Sequence, residues 1–250
     1  MKISLLSVAP PYRGGISEQT YYLYERLKGN HSVNIINFRR QYPKILFPGK
    51  TQFKSDPHDQ DSQNHRIIDS INPFSWLRAI NLLKDHSPDL IVLRFWNPYF
   101  SICYAFILKR IRKHLKNVKV ICICDNIIPH EKHFYDSYLI SKLFRYVDGF
   151  IVMSEKVEEE LAESVKNPVY KKLFHPVVTE AKIHSKEESR LKLGLSKKHI
   201  IMFFGLVRSY KGLDVLIKAN KHLKSKMSDY QIVICGESYE NDDYYLDLIK

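Results

Sequence analysis

Short runs of apolar residues alternate along the chain with segments that have the length and mixed polarity of helices. The apolar runs are continuous, which is typical of strands that are covered on both faces of a parallel sheet. They predict five strands in the first part of the chain, at 2–8, 32–38, 89–95, 118–124 and 149–153. The segments between or after them predict helices at 17–28, 74–86, 99–115, 137–146 and 155–165. This regular alternation predicts an α/β fold with a parallel sheet.

The alternation is interrupted between residues 166 and 195, where prolines and a polar run predict a linker. It restarts with strands at 200–204 and 231–235 and helices at 213–223 and 242–250. We therefore predict three regions: a Rossmann-like domain at 1–170, a linker at 171–198 and the start of a second Rossmann-like domain at 199–250. A doubly wound domain usually has about three more strands than this second one, so we expect it to be incomplete.

The amino-acid composition and the net charge limit the classes of protein and of binding partner to be considered. With 44% hydrophobic and 26% charged residues the chain is globular, which excludes wholesale disorder. The net charge of +12 leaves nucleic acid, anionic lipid and phosphorylated small molecules as partner classes. No CxxC pair is present, and the N-terminus resembles a core strand more than a signal peptide. We therefore expect a cytoplasmic protein with reduced thiols at Cys103, Cys122, Cys124 and Cys235.

The loop after the first predicted strand carries two adjacent glycines, Gly14 and Gly15. Glycines let the backbone turn tightly and approach a ligand closely. The next helix, with Ser17 as its predicted N-cap, offers free N–H groups to an anion. The pattern predicts either an anion-binding loop or a tight turn without a ligand, and it is not the GxGxxG dinucleotide motif.

A second loop, in the sequence FFGLVRSYKGLDVLIKA at 203–219, places Arg208 and Lys211 between a predicted strand and a predicted helix. Arginine binds phosphate oxygens bidentately and lysine acts as a point charge beside them. With a helix N-terminus behind them, the two cations predict a diphosphate site. The alternative is a solvated basic loop.

Polar side chains also follow the other predicted strands, at the edge where open α/β sheets bind ligands. The loop at 124–133 has the most polar residues. It predicts either a site for acid–base chemistry and hydroxyl binding, or a surface loop whose polar groups are hydrogen-bonded within the protein. Its polar residues are Asp125, Asn126, His130, Glu131 and His133. The same crevice has three further candidates, namely Arg94, Asn97 and Ser154, the last also a predicted N-cap. A third metal ligand is missing from the loop, so no metal site is predicted.

Six lysines or arginines and no acid occupy residues 109–119, at the end of a predicted helix. Basic residues are favourable at a helix C-terminus, so a solvated helix end is one interpretation. Contact with an anionic membrane surface is the other. Nucleic acid is not an expected partner, because a recognition motif and interleaved aromatic residues are missing.

The order of these motifs resembles the retaining glycosyltransferases of family 4, which have the GT-B fold. The resemblance covers the whole chain and is most specific around residues 211–213. It implies two Rossmann-like domains that face each other across a cleft, with a nucleotide sugar on the C-terminal domain and the acceptor on the N-terminal one. It also implies transfer to a glycan or lipid-linked acceptor in polysaccharide biosynthesis, without a cofactor or a required metal. The expected location is cytoplasmic, peripheral at the inner face of the membrane.

Carried over by position, the resemblance assigns roles to residues of this sequence. Contact with the donor is implied for Gly15, Arg208, Lys211 and Gly236. Contact with the acceptor is implied or expected for Gly14, Arg94, Asn97, Asn126, Glu131 and Ser154. The catalytic-loop role of the family has two candidates here, His130 and Asp125.

Three features depart from the family pattern. Leu206 stands where the family usually has arginine, and Cys124–Asp125 stands where it has a His–Asp pair. A late pair of glutamates that contacts the donor would lie beyond residue 250. A non-catalytic module that binds a phosphosugar or an acceptor therefore remains an alternative. An NAD-dependent oxidoreductase is less favoured, because the GxGxxG motif and an acidic ribose ligand are missing.

Overall fold

The computed structural model describes residues 1–43, 51–54, 62–129, 133–176, 184–238 and 242–249. The chain divides into two compact units. The first comprises Met1–Pro43 and Gln52–Val177, and the second comprises Lys44–Thr51 and Val178–Lys250.

The first unit is built around a seven-stranded sheet in which every pair of neighbouring strands is parallel. Its strands are β1 (Lys2–Leu6), β2 (Ser32–Arg40), β3 (Asn64–Asp69), β4 (Leu90–Phe95), β5 (Lys119–Cys124), β6 (Gly149–Val152) and β7 (Tyr170–Lys172). Their spatial order is β3-β2-β1-β4-β5-β6-β7. The direction of winding therefore reverses between β1 and β4, as in doubly wound folds.

Helices cover both faces of this sheet. They are α1 (Gly15–Lys28), α2 (Pro73–His86), α3 (Ser101–His114), α4 (Asp136–Phe144) and α5 (Glu155–Ser164). On one face, Tyr24 of α1 packs with Ile3, Leu5 and Ile35 of β1 and β2. On the other face, α2 to α5 enclose a larger core with strand residues that include Phe95. The α/β fold with a parallel sheet, predicted from the apolar runs, is confirmed.

The second unit contains a smaller α/β arrangement. It comprises α6 (Lys186–Lys192), β8 (His199–Phe204), α7 (Leu213–Lys224), β9 (Tyr230–Cys235) and α8 (Asp243–Ile249). β8 and β9 pair in parallel along their whole length. Leu213 and Ile217 of α7 pack with Tyr245 of α8 in a small core.

The structure differs from the sequence prediction at several elements. β3 lies between residues 38 and 74, where no strand or helix is predicted, and β7 and α6 lie in or beside the predicted linker. The predicted N-cap Ser17 is wrong: α1 begins at Gly15, its N-cap is Gly14, and Ser17 is buried within the first turn. Gly14 has a φ of 113°, a conformation that side chains disfavour, so the glycine itself allows this helix start.

A buried asparagine holds the loop that leads into α1. The side chain of Asn37, on β2, accepts a hydrogen bond from the Ala9 amide at 3.1 Å and donates one to the Ala9 carbonyl at 3.0 Å. It also donates to the Pro10 carbonyl at 3.1 Å. A loop that passes over a sheet edge must satisfy its backbone groups. The Asn37 amide does so for Ala9, and the Asn64 amide also donates to the Pro10 carbonyl, at 2.6 Å.

We expect Asn37→Leu to lower the free energy of unfolding by about 3 kcal/mol, because the Ala9 amide and carbonyl would stay buried without partners. Asn34→Leu, on the same strand, is the matched control. The Asn34 Oδ1 is buried without a hydrogen-bond partner among the described residues, so its loss should cost less than about 1 kcal/mol. Urea unfolding measures both, and equal losses would contradict the assignment.

Candidate functional site

A cavity of about 340 Å³ lies at the carboxyl edge of the seven-stranded sheet. It is lined by the start of α1, the ends of β4 and β5, the β6–α5 turn and a residue after β7. The lining residues are Gly15, Ile16, Gln19, Arg94, Cys124, Asp125, Met153, Ser154, Val157 and His175. It lies beside the reversal between β1 and β4, where doubly wound sheets bind their ligands.

An ion pair lies in the lining of this cavity. Arg94, near the end of β4, donates from Nε to Asp125 Oδ2 at 2.6 Å and from one Nη to Oδ1 at 2.5 Å. The Arg94 side chain is 6% exposed and that of Asp125 is 13% exposed. The bidentate geometry is the strongest form of this contact. It neutralises the carboxylate, so the pair can orient a ligand without presenting a net charge.

Gln19 and His175 extend the pair across the cavity. Gln19, one turn into α1, accepts a hydrogen bond from Arg94. Its amide nitrogen lies 2.8 Å from His175 Nδ1. Sequence reasoning missed both residues. The position of Gln19, one turn after Gly15 on the same side of α1, was an available signal, whereas the segment around His175 offers none.

The start of α1 supplies the other polar wall. The N-cap residue is Gly14, so no side chain of the N-cap occupies the first amides of the helix. Gly15 and Ile16 line the cavity, so their backbone lies at the positive end of a 14-residue helix. The structure therefore brings Gly15, the second of the two predicted glycines, to the same cavity as Arg94 and Asp125.

The loop after β5 is anchored at both ends by buried carboxylates. Glu160 of α5 accepts hydrogen bonds from the amides of Ile127 and Ile128, at 3.2 and 3.1 Å. Asp136 accepts one from the His133 amide at 2.8 Å. His130 and Glu131, both predicted site residues, lie outside the described residues, between these two anchors.

The other predicted residues of this edge have separate local environments. Ser154 lines the cavity and caps α5, where its hydroxyl accepts from the Val157 amide at 3.2 Å. Asn97 caps the short 3-10 turn Pro98–Phe100 and does not line the cavity. Asn126 is half-buried and also lies outside the lining.

The cysteines of β5 are packed as thiols in the core. Cys122 and Cys124 lie on the same side of the strand with their sulfurs 3.7 Å apart. Burial raises the pKa of Cys122 well above its ordinary value, and its hydrogen bond with Cys124 raises it further. Because the thiolate is the nucleophile, Cys122 is kept in its unreactive form. The four cysteines are free, as predicted.

In the second unit, the loops after β8 and β9 touch backbone to backbone. A Cβ on Gly236 would lie 1.7 Å from the Gly205 carbonyl oxygen, so only glycine fits there. Gly205 itself has a φ of 117°. The contact continues as a bridge between Val207 and Ser238. This close approach requires the glycines that the sequence places after these two strands.

Arg208 and Lys211, the two cations predicted to bind a diphosphate, lie on the loop after β8. Ser209–Lys211 forms a 3-10 turn, and Gly212, with a φ of 72°, starts the 12-residue α7 without a side-chain cap. The Lys211 Nζ bends back beside Gly205, since a Cβ there would lie 3.3 Å from it. Arg208 begins the same turn. An ammonium group, an arginine and an uncapped helix start therefore share one loop, which suits an anion.

In the part of the chain that the structure describes, no group of three or more His, Cys, Asp or Glu residues is placed to hold a metal ion. Among the same residues, every helix is too short or too polar to cross a bilayer.

Part of the second unit matches a family of known proteins. Residues 185–249 match the family described as glycosyl transferases group 1. This range contains β8, α7 and β9 together with Arg208 and Lys211. A comparison with curated protein sequences returns no match.

Solved structures with the same fold are distant in sequence. An alpha-glucosyltransferase (AGT) in complex with UDP matches with a TM-score of 0.54 and 15% identity, over 98% of this chain and 70% of that one. An alpha-glucosyltransferase with UDP and a 13-mer DNA matches at 0.53 and 12%, over 99% and 58%. The catalytic domain of Starch Synthase IV from Arabidopsis thaliana, bound to ADP and acarbose, matches at 0.56 and 12%, over 95% and 68%.

These likenesses confirm the predicted fold class, an α/β fold of the GT-B type, and with the family match they support a glycosyltransferase. This chain spans 58–70% of the length of those proteins. The activity, substrates and partners of the whole protein are therefore matters for a proposal.

We expect the Arg94–Asp125 pair to contribute strongly to stability. A double-mutant cycle with Arg94→Met and Asp125→Leu should give a coupling energy of about 2 kcal/mol or more, because either single change leaves a largely buried charge unpaired. The exposed pair Glu25–Lys28, at 2.6 Å, is the control and should couple by less than about 0.5 kcal/mol. Chemical unfolding measures both cycles, and similar couplings would refute the claim that burial strengthens the first pair.

Proposed function

We propose that the protein transfers a sugar from a nucleoside diphosphate sugar to a glycan or lipid-linked acceptor, with retention of configuration. The observation that carries the proposal is the basic turn at Arg208 and Lys211, which lies within residues that match glycosyl transferases group 1. UDP and ADP are the nucleotides bound in the structurally similar transferases, so UDP-sugars and ADP-sugars are the first donors to test.

The donor half of the reaction would belong to the second unit. In glycosyl transfer the bond from the sugar to the diphosphate breaks, and negative charge develops on the departing phosphate oxygens. Arg208, Lys211 and the N-terminal amides of α7 would stabilise that charge. Gly205 and Gly236 would allow the backbone to approach the nucleotide. We infer that these groups act in place of a required metal ion.

The acceptor half would belong to the cavity of the first unit. Three of the five Arg94 donors are engaged with Asp125 and Gln19. Its second terminal nitrogen has no partner among the described residues, and it would donate to a hydroxyl of the acceptor. Ser154 and the α1 amides offer further polar contacts there. Because Arg94 neutralises Asp125, we favour an orienting role for this carboxylate and assign the catalytic-loop role to His130.

The donor site can be tested by binding alone. We expect UDP to stabilise the protein and Arg208→Ala and Lys211→Ala each to weaken UDP binding by about tenfold or more, because a charge-assisted hydrogen bond contributes roughly 1.5–3 kcal/mol. Lys221→Ala, which removes an exposed lysine of α7, is the matched control. Calorimetric titration in the presence of EDTA measures the affinities. Unchanged affinity in both variants would contradict the donor site, and binding that EDTA abolishes would contradict the metal-free proposal.

Activity distinguishes this proposal from its two alternatives. A panel of UDP-, ADP- and GDP-sugars, offered with oligosaccharide, lipid-linked and DNA acceptors, should give transfer or slow sugar-nucleotide hydrolysis. Nucleotide binding without either reaction would favour a non-catalytic binding module. Stabilisation by NAD in place of the nucleoside diphosphates would favour an oxidoreductase.

A further inference from the structure

Three neighbouring helices on one face of the first unit repeat the same surface pattern. α2, α3 and α4 each expose a large apolar side chain in the first turn: Phe74 is 77% exposed, Ile102 57% and Tyr138 61%. Helices of a parallel α/β sheet run opposite to its strands, so these first turns lie at the carboxyl edge. The exposed apolar side chains therefore form a band along the same edge as the cavity.

A cation follows each apolar residue along the same side of its helix. Arg78 lies four residues after Phe74, and Lys142 lies four residues after Tyr138. On α3, Phe106 lies four residues after Ile102, and the Arg110 guanidinium stacks 4.0 Å from the Phe106 ring centroid. Residues four apart share a helix face, and four residues span about 6 Å of helix. A band of cations thus lies about one or two turns behind the apolar band.

Most charged residues of these three helices are basic. They contain seven lysines or arginines and two acids. One acid, Asp85, lies in the last turn of α2, far from the apolar band. The other, Asp136, is buried and bonded to a loop amide. Near the apolar band, the surface therefore presents hydrophobic and positive groups with no exposed carboxylate from these three helices.

We propose that this surface, defined by Phe74, Ile102, Tyr138, Arg78, Arg110 and Lys142, docks the protein on an anionic lipid bilayer with the carboxyl edge of the sheet toward the membrane. Interfacial apolar side chains enter the headgroup and acyl boundary by roughly 5–10 Å. The cations, set back by about 6 Å or more, would then lie at the depth of the lipid phosphates. The helix N-termini add positive partial charge at the same edge.

The proposal changes which residues of the basic segment at 109–119 matter for membrane binding. Arg112 donates to the Tyr146 carbonyl at 2.9 Å and to Asp148 at 2.6 Å, so its guanidinium is engaged in hydrogen bonds within the protein. Arg110 lies on the same stripe as an exposed apolar residue. The edge of the helical layer, rather than the C-terminal end of α3, is therefore the docking surface.

Vesicle flotation tests the proposal directly. The wild-type protein should float with vesicles of equimolar phosphatidylcholine and phosphatidylglycerol. With vesicles of phosphatidylcholine alone it should remain in the bottom fraction of the gradient. Two triple variants remove one band each: Phe74→Ser with Ile102→Ser and Tyr138→Ser, and Arg78→Gln with Arg110→Gln and Lys142→Gln. Two triple controls change exposed residues of the second unit: Leu191→Ser with Leu193→Ser and Leu246→Ser, and Lys192→Gln with Lys221→Gln and Lys226→Gln.

At about a factor of five for each cation near the surface, the cation variant should bind anionic vesicles roughly a hundredfold more weakly than wild type. The apolar variant should lose about tenfold or more, and both controls should bind like wild type. High salt should weaken wild-type binding. No flotation of the wild type, or variants that bind as the controls do, would overturn the proposal. So would a wild-type dimer in sedimentation velocity that the apolar variant dissociates, because the surface would then join two copies of the chain.

This inference does not depend on the transfer reaction. All four variants should bind UDP as the wild type does, which also reports that they are folded. If UDP binding fails throughout while flotation succeeds, the proposed function fails and the docking surface stands. If flotation fails while UDP binding persists, the reverse holds.

Discussion

The reversal of the sheet between β1 and β4 is the constraint on which the first unit depends. Right-handed crossovers carry the chain one way from β1 to β3 and the other way from β4 to β7. The connections therefore diverge at the carboxyl edge, where doubly wound sheets form their ligand crevice. Side chains from β4, β5 and α1 meet there, although they are far apart in sequence. The location of the cavity follows from the winding, and its chemistry follows from the residues that end the strands.

That chemistry is unusual in one respect, since the crevice contains a carboxylate already satisfied by an arginine. Arg94 and Asp125 lie near or at the ends of adjacent strands, so the parallel register brings their side chains together. A bare carboxylate would favour proton transfer, whereas a bidentate pair favours rigid placement of donors and acceptors. The second unit has the opposite character, because Arg208, Lys211 and a helix start lie together on one loop. The two units thus provide a nearly neutral site and a cationic site, which suit the hydroxylated acceptor and the diphosphate of the proposed reaction.

The sequence predicted those parts of the structure that depend on local patterns. Continuous apolar runs predicted the central strands, and glycines beside cations predicted the loop at 203–219. β3 and β7 were missed because NHRIID and YKK are short and polar, and they become strands by pairing with β2 and β6. Gln19 and His175 were missed because their hydrogen bond joins residues 156 positions apart. Such contacts are set by the packing of elements, which no local window contains.

The apolar band and the cationic band lie on helices whose first turns share an edge of the sheet with the candidate site. In a parallel α/β unit the strand ends, the helix N-termini and the ligand crevice share one edge. Apolar first turns on α2, α3 and α4 therefore cannot contact a surface without bringing the crevice close to it as well. A free sugar acceptor gains nothing from such an arrangement. An acceptor held in a bilayer does, because docking confines the protein and the acceptor to the same thin layer and so raises their effective concentration. Within the proposed reaction, the proposed docking surface thus favours a lipid-linked acceptor over a soluble one.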